Sequence, residues 1–219
     1  MPNWTYCKLK APVEVLREYI IKNDDKYEKD RIPYTFDFNL LIPQPEAYSD
    51  PDLISGGDED FAIYWYLSDH GKTSYDKLKK DRIPREVLDR WYFNHFSEWN
   101  ILDKYKPETK EESKALYERG RKYVVLADKY GYRDWYDWRR ANWGTKWNAC
   151  DCDLSRLEDG EITFNTAWCP PVPVIEKLFD DNPGCRIEFY WENEDYDGRH
   201  HYIRYKNGRY DCLNCEGAF

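Results

Sequence analysis

The chain has 219 residues, with 42 Asp and Glu against 33 Lys and Arg, for a formal charge of −9. That balance argues against general binding to phosphate backbones, which needs a basic footprint, and it suits a basic protein partner. Ten Trp, twenty Tyr and nine Phe exclude a disordered chain and supply core volume where Leu and Ile are sparse.

Trp4 to Leu9 reads as a strand. Pro12 then opens an amphipathic helix over residues 12–22, with Val13, Leu16, Tyr19 and Ile20 on one side. Residues 31–58 carry Ile32-Pro33, Ile42-Pro43, Asp50-Pro51 and Gly56-Gly57, all breakers, and read as a long irregular connection. Phe61, Tyr64, Trp65 and Leu67 predict a short helix stopped at Gly71. Val87, Leu88, Trp91, His95 and Trp99 predict a second helix. Thr109 and Glu112 have capping-box spacing and open a third, closed by Gly131. A short helix around Trp135 and Trp138 follows.

The last third returns to strands. Trp147 to Cys152 is one candidate. Ile162 to Trp168 alternates, with Ile162, Phe164 and Trp168 on one face, and the turn at Gly160 pairs the two segments as a hairpin. Pro170 and Pro171 start a helix that buries Val174, Ile175, Leu178 and Phe179. After the turn Asn182-Pro183-Gly184, residues 186–192 alternate with Ile187, Phe189 and Trp191 inward. Residues 202–206 and 209–212 flank Asn207-Gly208, a strong hairpin signal. The order predicts an α+β fold: a ferredoxin-like, split βαβ antiparallel sheet in one domain, with a mostly helical insertion over residues 30–140 and a C-terminal β-hairpin.

Four motifs add a resemblance. They are Pro2-Asn3-Trp4, then Asn142-Trp143-Gly144-Thr145-Lys146-Trp147, then Phe164-Asn165-Thr166-Ala167-Trp168-Cys169-Pro170-Pro171, and last Tyr190-Trp191-Glu192 followed by Gly198. Together they resemble the YubB-type ferredoxin-like family of phages, plasmids and other mobile elements. The resemblance spans roughly residues 1–22 and 140–200 and is silent on residues 30–135. It implies a ferredoxin-like fold and a mobile-element protein acting on host or rival machinery. It carries over no catalytic residues, because function lives in sites rather than folds.

Three constellations are candidate sites. Trp135, Trp138, Arg139, Arg140, Trp143 and Lys146, with Arg133, Tyr136 and Trp147 nearby, mix aromatic and cationic residues. That mixture stacks single-stranded bases, marks protein hot spots, or fills a core under cation–π cover. Cys150 and Cys152, with Cys212 and Cys215, offer two half-sites for a structural zinc, against free thiols in an aromatic core. Glu192, Glu194, Asp195 and Asp197 crowd one strand end, where Asp151 and Asp153 would join them across the sheet as ligands for a hard cation, against a solvated loop. Neighbouring His200 and His201 face opposite sides of a strand and cannot share one metal. His70 reads as a helix end and His95 as core.

No Walker loop, Rossmann glycine pattern or HExxH motif is present, so enzymatic activity has no support. The residues lead instead to a non-enzymatic protein-interaction module acting on host or defence machinery, for example an anti-CRISPR-type inhibitor, with no cofactor. Single-stranded nucleic-acid binding through residues 133–147 and metal-dependent hydrolysis through residues 192–197 are the alternatives. The opening residues lack a leader pattern, no apolar run is long enough for a bilayer, and seven Cys is an odd number. A cytoplasmic protein with free thiols and no membrane partner is expected.

Overall fold

The structure, a computed structural model, describes residues 3–23, 31–53, 59–67, 107–194, 199–204 and 210–213, the last two stretches as backbone. The helix expected from Val87 to Trp99, the stop at Gly71, His70, His95, Asp195, Asp197, Cys215 and the Asn207-Gly208 turn lie outside the described residues. The chain divides into two compact units: Met1–Gln44 with Arg139–Phe219, and Pro45–Trp138. The second is narrower than the insertion expected over 30–140, because residues 31–44 belong to the first.

In the first unit, strand β1 is Trp4–Lys10, helix α1 is Val13–Glu18, β2 is Ile20–Lys22 and β3 is Tyr34–Phe36. The expected helix over 12–22 is therefore cut short. Tyr19 caps α1 at φ −112°, and the two isoleucines after it leave the helix to pair with Tyr34–Phe36. β-Branched side chains, stiff at χ1, favour that extended state. The stretch expected to be irregular thus supplies β3 and a 3₁₀ turn at Phe38–Leu40.

Further along lie β4 (Cys150–Asp153), β5 (Glu161–Ala167), β6 (Ile187–Asn193), β7 (Arg199–Arg204) and β8 (Tyr210–Leu213). The main sheet has the order β4-β5-β1-β6-β7-β8. β1 is antiparallel to both β5 and β6, so the unit running from β5 through a helix to β6 is split by the first strand of the chain. That is the ferredoxin-like arrangement, extended at one edge by the antiparallel pair β7 and β8.

Alternation decides the two faces. Thr5, Cys7 and Leu9 of β1, Ile162, Phe164 and Thr166 of β5, and Ile187, Phe189 and Trp191 of β6 are all buried. They share the core with Val15 and Leu16 of α1 and with Val174, Ile175, Leu178 and Phe179 of the helix at Val172–Asp181. Phe36, Phe38 and Phe164 meet at ring-centroid separations of 5.5–6.0 Å, which is aromatic packing in place of aliphatic.

The second unit holds a 3₁₀ turn (Glu46–Ser49) and helices α2 (Glu59–Leu67) and α3 (Lys110–Tyr130). It also holds the start of α4 (Trp135–Asn142); the helix at Val172–Asp181 is α5. α3 opens on the reciprocal Thr109–Glu112 capping box and closes on Gly131 at φ 87°. α2 and α3 cross so closely that a Cβ on Gly120 would lie 1.9 Å from the Ala62 carbonyl oxygen. Only glycine fits there. No helix among the described residues is long and apolar enough to cross a membrane.

Candidate interaction surface

The Trp143–Trp147 motif is a fastening of the first unit to itself. Trp143 is wholly buried, its indole N–H donates to the Ile42 carbonyl at 2.9 Å, and its ring meets Phe38 edge-on. Gly144 follows at φ 82°, where a Cβ would come within 3.0 Å of the Pro170 carbonyl oxygen and 2.9 Å of Pro173. The buried Thr145 hydroxyl donates to the Ala167 carbonyl at 2.8 Å. Trp147 packs on Trp4 at 6.0 Å, with Lys146 over its outer ring at 4.0 Å.

Arg139 is drawn into the same structure. Its guanidinium donates to the Gln44 side chain and to the Lys146 carbonyl, and lies 4.8 Å from the Trp143 ring centre. Burial pulls it down to about 10, against the opposing pull of Asp37, so it stays charged at neutral pH. Buried Asp37 accepts from the Asn39 N–H at 3.0 Å and from the Asn148 amide at 2.7 Å. Asn148 in turn accepts from the Phe38 N–H at 2.9 Å. A buried polar network of this kind is costly to leave half made.

These placements correct the aromatic–cation expectation. Trp143 in the first unit is 0% exposed and Trp138 in the second is 6% exposed, so neither offers a ring face to a base or a partner. Arg139 is spent on internal contacts. Trp135 and Lys146 are partly accessible, and Arg140 is exposed. The stretch does not present all of its rings, because Trp138 and Trp143 fall on the inner sides of the segments that carry them.

The cysteine expectation fails on topology. Cys150 and Cys152 sit on one edge strand and Cys212 on the opposite edge strand, five strand steps and roughly 24 Å away at sheet spacing. One zinc holds its thiolates about 2.3 Å from the ion. Nor do Cys150 and Cys152 share a face: the register shifts between Cys150 and Asp153, Asp151 sits at φ 49°, Cys152 is buried and Cys150 is half-buried. The Cys152 sulfur accepts from the Phe36 N–H at 3.5 Å, so it serves the core. Cys7 is buried beside Thr166, and burial pushes its thiol far up, which removes thiolate chemistry.

Asp151 does not join the acidic strand end. Asp151 and Glu192 are separated by β5 and β1, three strand steps or about 14 Å. Asp151 is instead paired with Arg31 and accepts from the Asn165 amide at 3.3 Å. Among the described residues no group of three or more His, Cys, Asp or Glu side chains is placed to hold a metal ion.

The accessible chemistry lies on the other face of the sheet. Trp4, Tyr6, Lys8 and Lys10 of β1 stand there beside Thr163 and Asn165 of β5 and Glu188, Tyr190 and Glu192 of β6. Its middle is self-satisfied. Lys8 lies over the Tyr190 ring at 4.7 Å, Lys10 pairs with Glu161 at 3.2 Å, and Arg186 pairs with Glu188 at 2.6 Å. Tyr190 donates to Glu188, and burial with that carboxylate pushes its hydroxyl up to about 12, so it is no nucleophile at neutral pH.

The end of the sheet at the start of β1 is different. Tyr6 is 52% exposed, and the half-buried Trp4–Trp147 pair lies on the same end. Trp168 is also 52% exposed. Alternation places Trp168 inward with Ile162 and Phe164, yet β5 stops at Ala167 and Trp168 takes φ 73°, which turns the indole outward. A left-handed conformation at a bulky residue costs about 1–2 kcal/mol. Its backbone N–H donates to the Asn3 carbonyl at 2.9 Å, fixing the corner against the strand beside it. Glu194 closes the other side: its carboxylate accepts from the Trp4 N–H at 2.8 Å, and its own N–H donates to the Trp4 carbonyl at 2.8 Å. Sequence reading missed Tyr6 and Trp168 as surface. The Trp-Cys-Pro-Pro run after β5 was the available signal, since prolines force the strand to end there.

Residues 142–213 match the family model described as the ferredoxin-like domain in Api92-like protein. The match holds β4 to β8 and α5, while β1, which completes the sheet between β5 and β6, lies outside it. No curated protein matches the chain. A crystal structure of a protein api92 from Yersinia pseudotuberculosis aligns with a TM-score of 0.41 at 10% identity, over 97% of this chain and 98% of that one. In sequence, the last third of this chain is thus similar to the ferredoxin-like domain of Api92-like proteins.

Proposed function

We propose that this protein is a non-enzymatic binding module that engages another protein through the Trp4, Tyr6 and Trp168 end of its sheet. The observation that carries the reading is Trp168, a half-exposed indole held at φ 73°. Backbone strain without compensating burial clusters where a residue is used. Exposed Trp and Tyr are also the residue types that dominate protein hot spots. In its cell the protein is a cytoplasmic product of a phage or plasmid of the YubB type, acting on host or defence machinery, an anti-CRISPR-type inhibitor being the sharpest form. The four motifs and the chain charge of −9 support that setting.

The test is affinity capture from host-cell lysate with the full chain and its Trp168→Gly variant. A defined protein recovered by the first and lost by the second is expected. No specific protein, or equal recovery by both, overturns the reading.

A second reading has its own observation. Lys8 over Tyr190 and Lys146 over Trp147 set cations on aromatic rings of the first unit, as single-strand binders do. Salt-dependent binding of a short oligothymidylate would favour it; no shift at low salt would end it.

A further inference from the structure

Resting on the reading just given, we propose that Thr166 and Thr145 are positioning residues: their buried hydroxyls hold the backbone on either side of Trp168, so that a partner meets an indole already set outward. The Thr166 hydroxyl donates to the Cys169 carbonyl at 2.9 Å, closing a ring of chain from residue 166 to 169 with Trp168 inside it. The Thr145 hydroxyl donates to the Ala167 carbonyl at 2.8 Å, and the Trp168 N–H donates to the Asn3 carbonyl at 2.9 Å. Residues 167, 168 and 169 are thus each tied by a hydrogen bond, from the segment after α4, from the start of β1 and from β5. The chain beyond is stiff as well. Pro170 and Pro171 bias the residue before each of them away from helical backbone, and Gly144 fits against the Pro170 carbonyl with no room for a side chain.

The residue types suit this task. Both threonines are buried, where a hydroxyl has to find an acceptor. Branching at Cβ leaves their side chains few rotamers. The Cys7 sulfur lies 3.7 Å from the Thr166 oxygen, so the hydroxyl is packed on its inner side too. A left-handed backbone at a bulky residue is unfavourable by itself and persists where the surroundings over-determine it. Here the two hydroxyls and the Asn3 carbonyl are those surroundings. A contact residue fixed before the partner arrives spares part of the ordering cost of association. Tryptophan gains most from this, since it carries a large contact area on two side-chain torsions.

Backbone amide relaxation and amide hydrogen exchange of the full chain test this, in Thr166→Val, Thr145→Val and Thr166→Ser. Valine keeps the shape of threonine and loses the donor, whereas serine keeps the donor. The Trp168 amide should have an order parameter of about 0.85 in the parent chain and below about 0.6 in Thr166→Val. Its exchange should speed by about ten-fold in either valine variant, the scale of one lost hydrogen bond. Thr166→Ser should restore both values. The amides of Leu9 and Phe164, in the middle of the sheet, should keep their parent rates, which separates local positioning from a general loss of stability. Should Thr166→Val fail to fold, Thr145→Val decides by the same readouts. A Trp168 amide unchanged in the valine variants, an equal loss in Thr166→Ser, or Leu9 and Phe164 amides that speed as much as that of Trp168 each overturns the inference. Lysate capture separates it from the reading beneath. Capture lost in Trp168→Gly beside a Trp168 amide still rigid in both valine variants removes the positioning role and leaves the binding reading standing. Equal capture by the parent and Trp168→Gly removes the binding reading, and the positioning role then rests on the amide data alone.

Discussion

Trp143 and Trp168 sit in two neighbouring motifs of similar composition, and they do opposite things. Trp143 is sealed, with its indole N–H bonded to Ile42 and its ring between Phe38 and Arg139. Trp168 is turned out at a strand end by a left-handed backbone. Aromatic density therefore does not mark a surface. What separates the two is where a strand stops and which way the next residue's backbone turns. The Trp143 corner holds the first unit together, and the Trp168 corner is what that unit presents.

If this division is right, stability and binding should separate along it. The largest stability effect belongs to Trp143→Ala, which empties a sealed site and should cost about 3–5 kcal/mol in urea unfolding. A cost below about 1 kcal/mol would mean the corner is not the fastening described here. Gly144→Ala comes next. It needs a left-handed alanine and pushes its Cβ against the Pro170 carbonyl and the Pro173 ring, for about 2–4 kcal/mol. Asp37→Ala should cost about 1–3 kcal/mol, because the Asn39 and Asn148 donors lose their acceptor in a buried place. The smallest effect is Trp168→Gly. Relief of the positive φ offsets the little apolar area the indole buries, so the change should be within about 1 kcal/mol of zero. A loss as large as that of Trp143→Ala would make Trp168 structural and erase the contrast.

The second unit sharpens the comparison through pH. Buried Asp134 accepts from the Asp137 N–H at 2.8 Å, while burial raises its carboxyl above the usual carboxylate range, with Asp137 and Glu59 adding to the rise and Arg133 opposing it. A raised acid contributes stability that is full below its unfolded value of about 4 and is lost as pH rises through the folded value. Asp134→Asn should therefore flatten the stability profile of the protein just above about pH 4. An unchanged slope there would contradict the burial.

Much of the fold was legible in the sequence. Alternation over residues 162–167 and 186–192 gave the inner faces, and the Thr109–Glu112 box with Gly131 gave both ends of α3, because these signals are local. The helix over 12–22 was overextended, since Ile20 and Ile21 continue a helical spacing yet find a strand partner at Thr35 and Phe36 that no local pattern shows. The Cys150–Cys152 pair misled because a bulge at Asp151 breaks the two-residue period. The candidate site was the least legible part. Trp168 continues the Ile162–Phe164 alternation on paper, and only the end of β5 at Ala167 takes it to the other side.

The most direct test is a fluorine NMR spectrum of the chain labelled with 5-fluorotryptophan, with the Trp168 and Trp143 resonances assigned by substitution and the protein captured from lysate added. The Trp168 resonance should shift or broaden while Trp143 stays in place. A Trp168 line that does not respond while other tryptophans do would contradict the assignment of this corner as the contact surface.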